Sequence, residues 1–390
     1  MRFLLVLELL NSFCNNYKIF TFLHGSERLQ GIDPLRSEQV DRKENRLTGL
    51  TPVDDIPRAA YTIGHDIIVI GASAGGRETL SRLLESLAGD LPAAVLVVLH
   101  LPPESRGEVH KILDRAGQLS VIQACDGDLI QPGRVYVAPP DVHLLMCAND
   151  HLGLFRGPRE NRSRPAIDPL FRSAAVHYGS RVIGVVLSGL LDDGKAGLQA
   201  IKRCGGLAVV QDPNDALYPD MPRNSLNAVD VDYCVPVAEM GLLLDRLCRE
   251  TAPPAPPVPE DIQAETHLAE QISGHVNDYD WGKPVALSCP DCGGPLWEME
   301  NKQLRRYRCH MGHGFSTRSL LAEQNVALEE ALWIALRTLE ERVSLLTTMI
   351  RDVKNPGSVS SSLEDRRQEA QKHVQTMRQL IQGLSRQEAD

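Results

Sequence analysis

Between about residue 63 and residue 248 the chain alternates two hydrophobic patterns. One consists of short runs that are apolar at every position and rich in β-branched residues: 67–70 (IIVI), 94–99 (AVLVVL), 135–138 (VYVA), 182–188 (VIGVVLS) and 207–211 (LAVVQ). Runs without polar alternation belong to strands covered on both faces. The other pattern repeats every three or four residues, as in 78–88 and 194–203, the second closed by Gly205 and Gly206. Strands alternating with helices predict one α/β domain over 61–250, built on a doubly wound, mostly parallel sheet.

Outside that block the pattern changes. Residues 1–60 are polar after an apolar start and lack sustained periodicity, so they are expected to be a mostly disordered leader. The start itself, MRFLLVLELLNSFC, is interrupted by Glu8, precedes no small-residue cleavage site and is too short to span a membrane. TAPPAPPVPE (251–260) opens a Pro-rich linker expected over 251–286. A compact Cys-rich unit follows at 287–316. Residues 317–390 then read as two helices. Leu328, Leu332, Leu336, Leu339, Val343, Leu346 and Ile350 mark the first, NPGSVSSS (355–362) the break, and Val374, Met377, Ile381 and Leu384 the second. Such stripes are satisfied by a helical hairpin, by self-association or by a helical signalling partner.

Composition narrows the class. The chain has 390 residues, 43% of them hydrophobic and 24% charged, which suits a soluble protein of several domains. A net charge of -10 argues against a nucleic-acid groove. Nine cysteines, an odd number without a disulfide-scaffold spacing, indicate a reducing, cytoplasmic setting in which paired cysteines serve a metal.

The first strand candidate ends in GASAGG (71–76). As a dinucleotide turn it fails twice: Ala72-Ser73 fills the place of close approach, and the second strand ends in His100 instead of an acidic residue. As G-x-S-x-G it fits a strand-to-helix turn that exposes the Ser73 hydroxyl. A serine needs a base, and His100 follows the second strand while Asp192 and Asp193 follow a later one. Loops after parallel strands share one sheet edge, so Ser73, His100 and Asp193 are the expected catalytic set. Asp192 is the expected helix cap, a choice between neighbours that spacing alone leaves open. Amides around Ala74 and 188–191 are candidate oxyanion donors. No cofactor is needed for this chemistry.

The Cys-rich unit holds CPDCGG (289–294) and CHMGHG (309–314). Cys289, Cys292, Cys309 and His313 are the expected ligands of a structural zinc, with His310 as the alternative fourth ligand. The run RGPRENRSR (156–164) carries four arginines, read either as a solvated surface or as a site for acidic protein helices. His143 and His177 are expected to be structural.

Residues 64–248 as a whole resemble the catalytic domain of the CheB-type protein-glutamate methylesterases. VIGASAGG, LHLPPESRG, VYVAPPDVHLL, RPAIDPLFRSAA, VVLSGLLDDGKAGL and QDPNDALYPDMPRNSLNAVDVDY match its blocks in order. The resemblance implies hydrolysis of glutamyl methyl esters on a chemoreceptor-type protein, with release of methanol and, in some members, glutamine deamidation. Its triad falls on Ser73, His100 and Asp193. Three departures stand out. Ser188-Gly189-Leu190-Leu191 replaces the family's Thr-Gly-Met-Gly, the leader is too short for a receiver domain, and the C-terminal extension lies outside the pattern. A catalytically weak scaffold and an esterase for another substrate are the alternative readings. No nucleic acid or membrane insertion is expected.

Overall fold

The computed structural model describes residues 64–270, 282–299, 304–352 and 358–387. The expected leader, 1–60, lies outside them. The strands run β1 (Ile67–Ala72), β2 (Ala94–Leu99), β3 (Ser120–Gln123), β4 (Arg134–Val137), the hairpin β5 (His143–Cys147) and β6 (His151–Phe155), then β7 (Val182–Val186), β8 (Leu207–Gln211) and β9 (Tyr233–Val235). Seven of them form one sheet in the order β3-β4-β2-β1-β7-β8-β9, every pairing parallel. From the central β1 the chain goes to one side through β2 and to the other through β7. That reversal opens a crevice at the carboxyl ends of the strands, where α/β folds place their sites.

The helices of this domain are α1 (Gly76–Ser86), α2 (Val109–Leu113), α3 (Ile167–Tyr178), α4 (Lys195–Arg203), α5 (Asp220–Leu226) and α6 (Val237–Cys248). Side chains of β1 alternate between two cores, as a pleated strand requires. Ile67 and Val69 pack with Phe171 of α3 and Leu198 of α4. Ile68 and Ile70 pack with Leu80 and Leu83 of α1 and Met240 and Leu244 of α6.

Helix α3 escapes the periodic reading because ten of its residues are buried, so it shows no amphipathic stripe. The β5–β6 hairpin turns on Asn149 and Asp150, both at positive φ, a conformation these residue types tolerate. The stretch expected as linker is in part a docked helix. Ala255 and Pro256 approach Gly179 and Gly205, and α7 (Glu260–Glu270) packs on α3 with Ile262, Glu265 and Thr266 buried.

The C-terminal unit is an antiparallel sheet in the order β10 (Lys283–Ser288), β11 (Pro295–Met299), β12 (Arg306–Cys309) and β13 (Gly314–Ser316). Two long helices follow, α8 (Thr317–Asp352) and α9 (Ser358–Gln387). They form a hairpin, Leu332, Leu336, Leu339 and Val343 packing against Val374, Met377 and Ile381. Ser316 caps α8, its Oγ accepting the Ser319 N–H at 3.0 Å. The loop after β6 lies along β13. Gly314 N donates to Arg159 O at 3.2 Å, and Asn161 N donates to Gly314 O at 2.9 Å.

Candidate active site

Three loops at the carboxyl edge of the sheet bring Ser73, His100 and Asp193 together. His100 Nδ1 lies 3.1 Å from Ser73 Oγ, and His100 Nε2 lies 2.8 Å from Asp193 Oδ2. The imidazole therefore meets serine with its δ nitrogen and aspartate with its ε nitrogen. With Nε2 protonated and donating to the carboxylate, Nδ1 is left as the acceptor for the serine proton.

Each member is held by backbone. Ser73 N donates to Ser188 O at 2.9 Å, Ser188 Oγ donates to Ala74 O at 2.8 Å, and His100 N donates to Ala72 O at 3.1 Å. Gly75, at φ 71, turns the chain into α1. Gly189 lets the two loops meet: a Cβ there would fall 2.8 Å from Ser73 Cβ and 2.1 Å from Met221 Sδ.

Asp193 is buried and sits at the N-terminus of α3. Its Oδ2 accepts from Ile167 N at 2.7 Å, and its Oδ1 accepts from Gly194 N and Asn161 Nδ2, both at 2.9 Å. Burial opposes ionisation, but the His100 contact and these donors outweigh it and hold the carboxyl below its ordinary range.

A family model for the CheB methylesterase matches residues 68–244. A Leptospira interrogans protein is 39% identical over 185 residues, which is 47% of this chain and 96% of that one. The chain belongs to the CheB methylesterase family. Longer relatives are the Methanosarcina acetivorans protein-glutamate methylesterase/protein-glutamine glutaminase 2, 36% identical, and the Salmonella typhi protein-glutamate methylesterase/protein-glutamine glutaminase, also 36% identical. The matches span 56% and 45% of this chain, and 60% and 51% of those proteins. The crystal structure of the Thermotoga maritima CheB methylesterase catalytic domain aligns at 34% identity, with 47% of this chain and 98% of that one covered and a TM-score of 0.45.

The loop after β7 lies beside Ser73, whose N–H donates to Ser188 O. Leu190 is exposed and Leu191 takes φ 61, the left-handed conformation glycine would favour. Of the amides expected as oxyanion donors, Ser188 N is taken by Gln211 Oε1 at 2.9 Å and Gly189 N by Tyr218 O at 2.9 Å. Among the described residues no acceptor takes the amides of Ala74, Leu190 or Leu191. Asp192 is not a helix cap. It accepts from Lys195 Nζ at 2.6 Å and from Ser316 Oγ at 2.5 Å, which ties the loop after β7 to the start of α8.

The cleft at Ser73 has a volume of about 420 Å³ and is walled by Pro102, Pro103, Leu190, Leu191, three arginines and Glu323 of α8. Arg164 and Arg156 both pair with Asp141, and Arg162 pairs with Glu323. Arg159 is exposed at the cleft and has no ion pair among the described residues. His143 is a buried tether, accepting from Ala166 N at 3.2 Å and lying 2.9 Å from Pro158 O. His177 lies 3.7 Å from Glu270, on the outside of α3.

In the C-terminal unit the ligand atoms of Cys289, Cys292, Cys309 and His313 all lie within 4.8 Å of one another. His313 Nδ1 is 3.7 Å from Cys289 Sγ and 3.5 Å from Cys309 Sγ, and Cys292 Sγ is 3.7 Å from Cys309 Sγ. A tetrahedron of Zn–S bonds of about 2.3 Å has edges of about 3.8 Å, so these four residues fit a zinc ion. His310, the alternative ligand, is exposed and outside the cluster.

Asn161, Asp168, Ser316 and Glu323 carry no sign of a site role in the sequence. Asn161 and Asp168 sit inside quoted blocks, but no spacing rule distinguishes a buried amide from a surface one. Ser316 and Glu323 belong to a part of the chain that nothing in the sequence connects to the cleft.

Proposed function

We propose that the chain hydrolyses glutamyl methyl esters on a chemoreceptor-type signalling protein, releasing methanol. The observation that carries this is the Ser73–His100–Asp193 relay, two contacts of 3.1 and 2.8 Å at the mouth of a cleft. Ser73 Oγ attacks the ester carbonyl while its proton passes to His100 Nδ1. Collapse of the tetrahedral intermediate expels methoxide, which takes that proton and leaves as methanol. Water, deprotonated by the same nitrogen, then attacks the acyl-serine; collapse expels Ser73 Oγ, which takes the proton back from His100 Nδ1, and frees the glutamate carboxylate. Asp193 stabilises the imidazolium in both steps. The open amides of Ala74, Leu190 and Leu191 are the donors available to the oxyanion. A glutamine side chain offers the same carbonyl with ammonia as leaving group, so deamidation follows the same course.

Arg159 at the rim supports an acidic protein segment as substrate. The four ligands of the C-terminal unit support a structural zinc that uses all of them, leaving no open position for catalysis. Among the described residues no helix is long and apolar enough to cross a membrane, and the eight described cysteines are all free, which supports a reducing compartment such as the cytoplasm.

The test is methanol release from methyl-labelled chemoreceptor membranes by the wild type and by Ser73→Ala. Release by the wild type alone is the expected result. Equal release by both would remove Ser73 from the reaction.

A further inference from the structure

We propose that Asn161 is a positioning residue for Asp193, and that the C-terminal unit holds it in place through Ser316 and Ser319. The carboxamide stands between two sets of partners. Its Nδ2 donates to Asp193 Oδ1 at 2.9 Å and to Asp168 Oδ2 at 2.8 Å. Its Oδ1 accepts from Ser316 N at 3.0 Å and from Ser319 Oγ at 3.1 Å. The ionised Asp193 carboxylate only accepts and the Ser316 N–H only donates, so the reversed amide would set like against like on both sides. The backbone supports the placement, because Asn161 adopts φ 47 and its own N–H donates to Gly314 O. Main chain and side chain of one residue thus bind the C-terminal unit.

The consequence for His100 runs through the carboxylate. Asp193 Oδ2 faces the imidazole, and Asn161 holds Oδ1 as the one side-chain donor among the described residues, beside the backbone N–H of Gly194. Beside it lies Asp168, equally buried and held by Gly197 N at 2.6 Å. Burial and the neighbouring charge of Asp193 raise Asp168 above its usual range, against the opposing charges of Arg172 and Arg306. The shared Nδ2 lies on both carboxylates. Without it their repulsion is relieved by binding a proton, and the pair ionises only at higher pH. Any share of that proton borne by Asp193 weakens the charge it presents to the imidazolium.

This rests on the esterase reading of Ser73, His100 and Asp193, and the experiment separates the two. Methanol release from methyl-labelled receptor membranes would be measured with the full chain across the range where histidine titrates. Asn161→Gly keeps the left-handed backbone and deletes the carboxamide. Its kcat is expected to fall about 10- to 100-fold with little change in KM, and the acid limb of the profile to move to higher pH. Ser319→Ala removes one donor from Oδ1 while leaving Asn161 in place, and is expected to move the limb the same way by less. Acid limbs that coincide with the wild type in both variants would overturn the inference and leave Asn161 purely structural. Undiminished release by Ser73→Ala would overturn the esterase reading and this one with it.

Discussion

Glu160 and Arg308 lie 148 residues apart in the chain and form an ion pair at 3.1 Å, each side chain less than a tenth exposed. Glu160 precedes the amide that holds Asp193, and Arg308 precedes the ligand Cys309. Around them Glu160 takes Arg172 of α3 at 2.7 Å, and Glu265 of α7 takes Arg306 of β12 at 2.5 Å. Five charges, two acidic and three basic and all buried except the partly exposed Arg306, join the esterase domain, the former linker and the C-terminal sheet.

Removing one member leaves uncompensated charge in a dry site. Glu160→Gln leaves Arg172 and Arg308 without their closest carboxylate and is expected to cost about 3–5 kcal/mol. The measurement is the urea midpoint followed by near-ultraviolet circular dichroism. A loss below about 1 kcal/mol, the size of a surface pair, would mean that the two parts are not docked in solution.

The same network sets the response to acid. Burial alone would raise Glu265, but the guanidinium groups of Arg306 and Arg172 reverse this and hold it at about 2, against an ordinary 4.5. Glu160 is likewise depressed: burial is overcome by Arg172 and Arg308. A depressed carboxyl contributes stability that is full above its unfolded pKa and is lost as pH falls through the folded one. Asp168, raised from 3.8 to about 7, has the opposite sign but acts across that higher interval, mostly above the one in which Glu265 titrates. The unfolding midpoint should therefore fall between pH 4.5 and about 2, the interval spanned by Glu265. Glu265→Gln should flatten that fall. An unchanged slope in the variant would take Glu265 out of the account.

Leu191 gives a prediction about the loop after β7. At φ 61 any side chain with a Cβ is strained, and glycine is not. Leu191→Gly should be more stable than Leu191→Ala by about 1 kcal/mol, the reverse of the usual order for these residues. Thermal unfolding of the two variants decides it. If alanine is the more stable, the loop does not hold that conformation.

The metal cluster predicts one zinc per chain by native mass spectrometry. His313→Ala should lower zinc retention and His310→Ala should leave it unchanged, because only His313 has its ring nitrogen among the thiolates. Chelation should loosen the sheet β10–β13 first, since its small core is built around Cys289 and Cys309. Equal retention in both histidine variants would reject the ligand assignment.

The sequence by itself determined five strands of the parallel sheet and the three loops that meet at its carboxyl edge, while spacing left Asp193 and Asp192 undivided. The reason is local. Buried parallel strands must be apolar throughout, and a loop leaving such a strand emerges on one known side, so Ser73, His100 and Asp193 share an edge whatever the rest of the chain does. The cluster of Cys289, Cys292, Cys309 and His313 was legible for a similar reason, because tight turns place Cys289 with Cys292 and Cys309 with His313 before any long-range packing.

Tertiary structure alone decided the rest. Whether Arg162 faced water or Glu323, whether 251–286 was free chain or docked on α3, and whether Ser316 merely capped its helix or also reached Asp192 depended on how the C-terminal unit sits against the esterase domain. That arrangement is fixed by buried charges drawn from four distant segments. A charged residue reads in a sequence as a surface residue unless its partner is adjacent, so Glu160, Arg172, Glu265 and Arg308 carried no sign of their burial. Asn161 is the extreme case: its role consists of four hydrogen bonds, none to a residue within six positions in the chain.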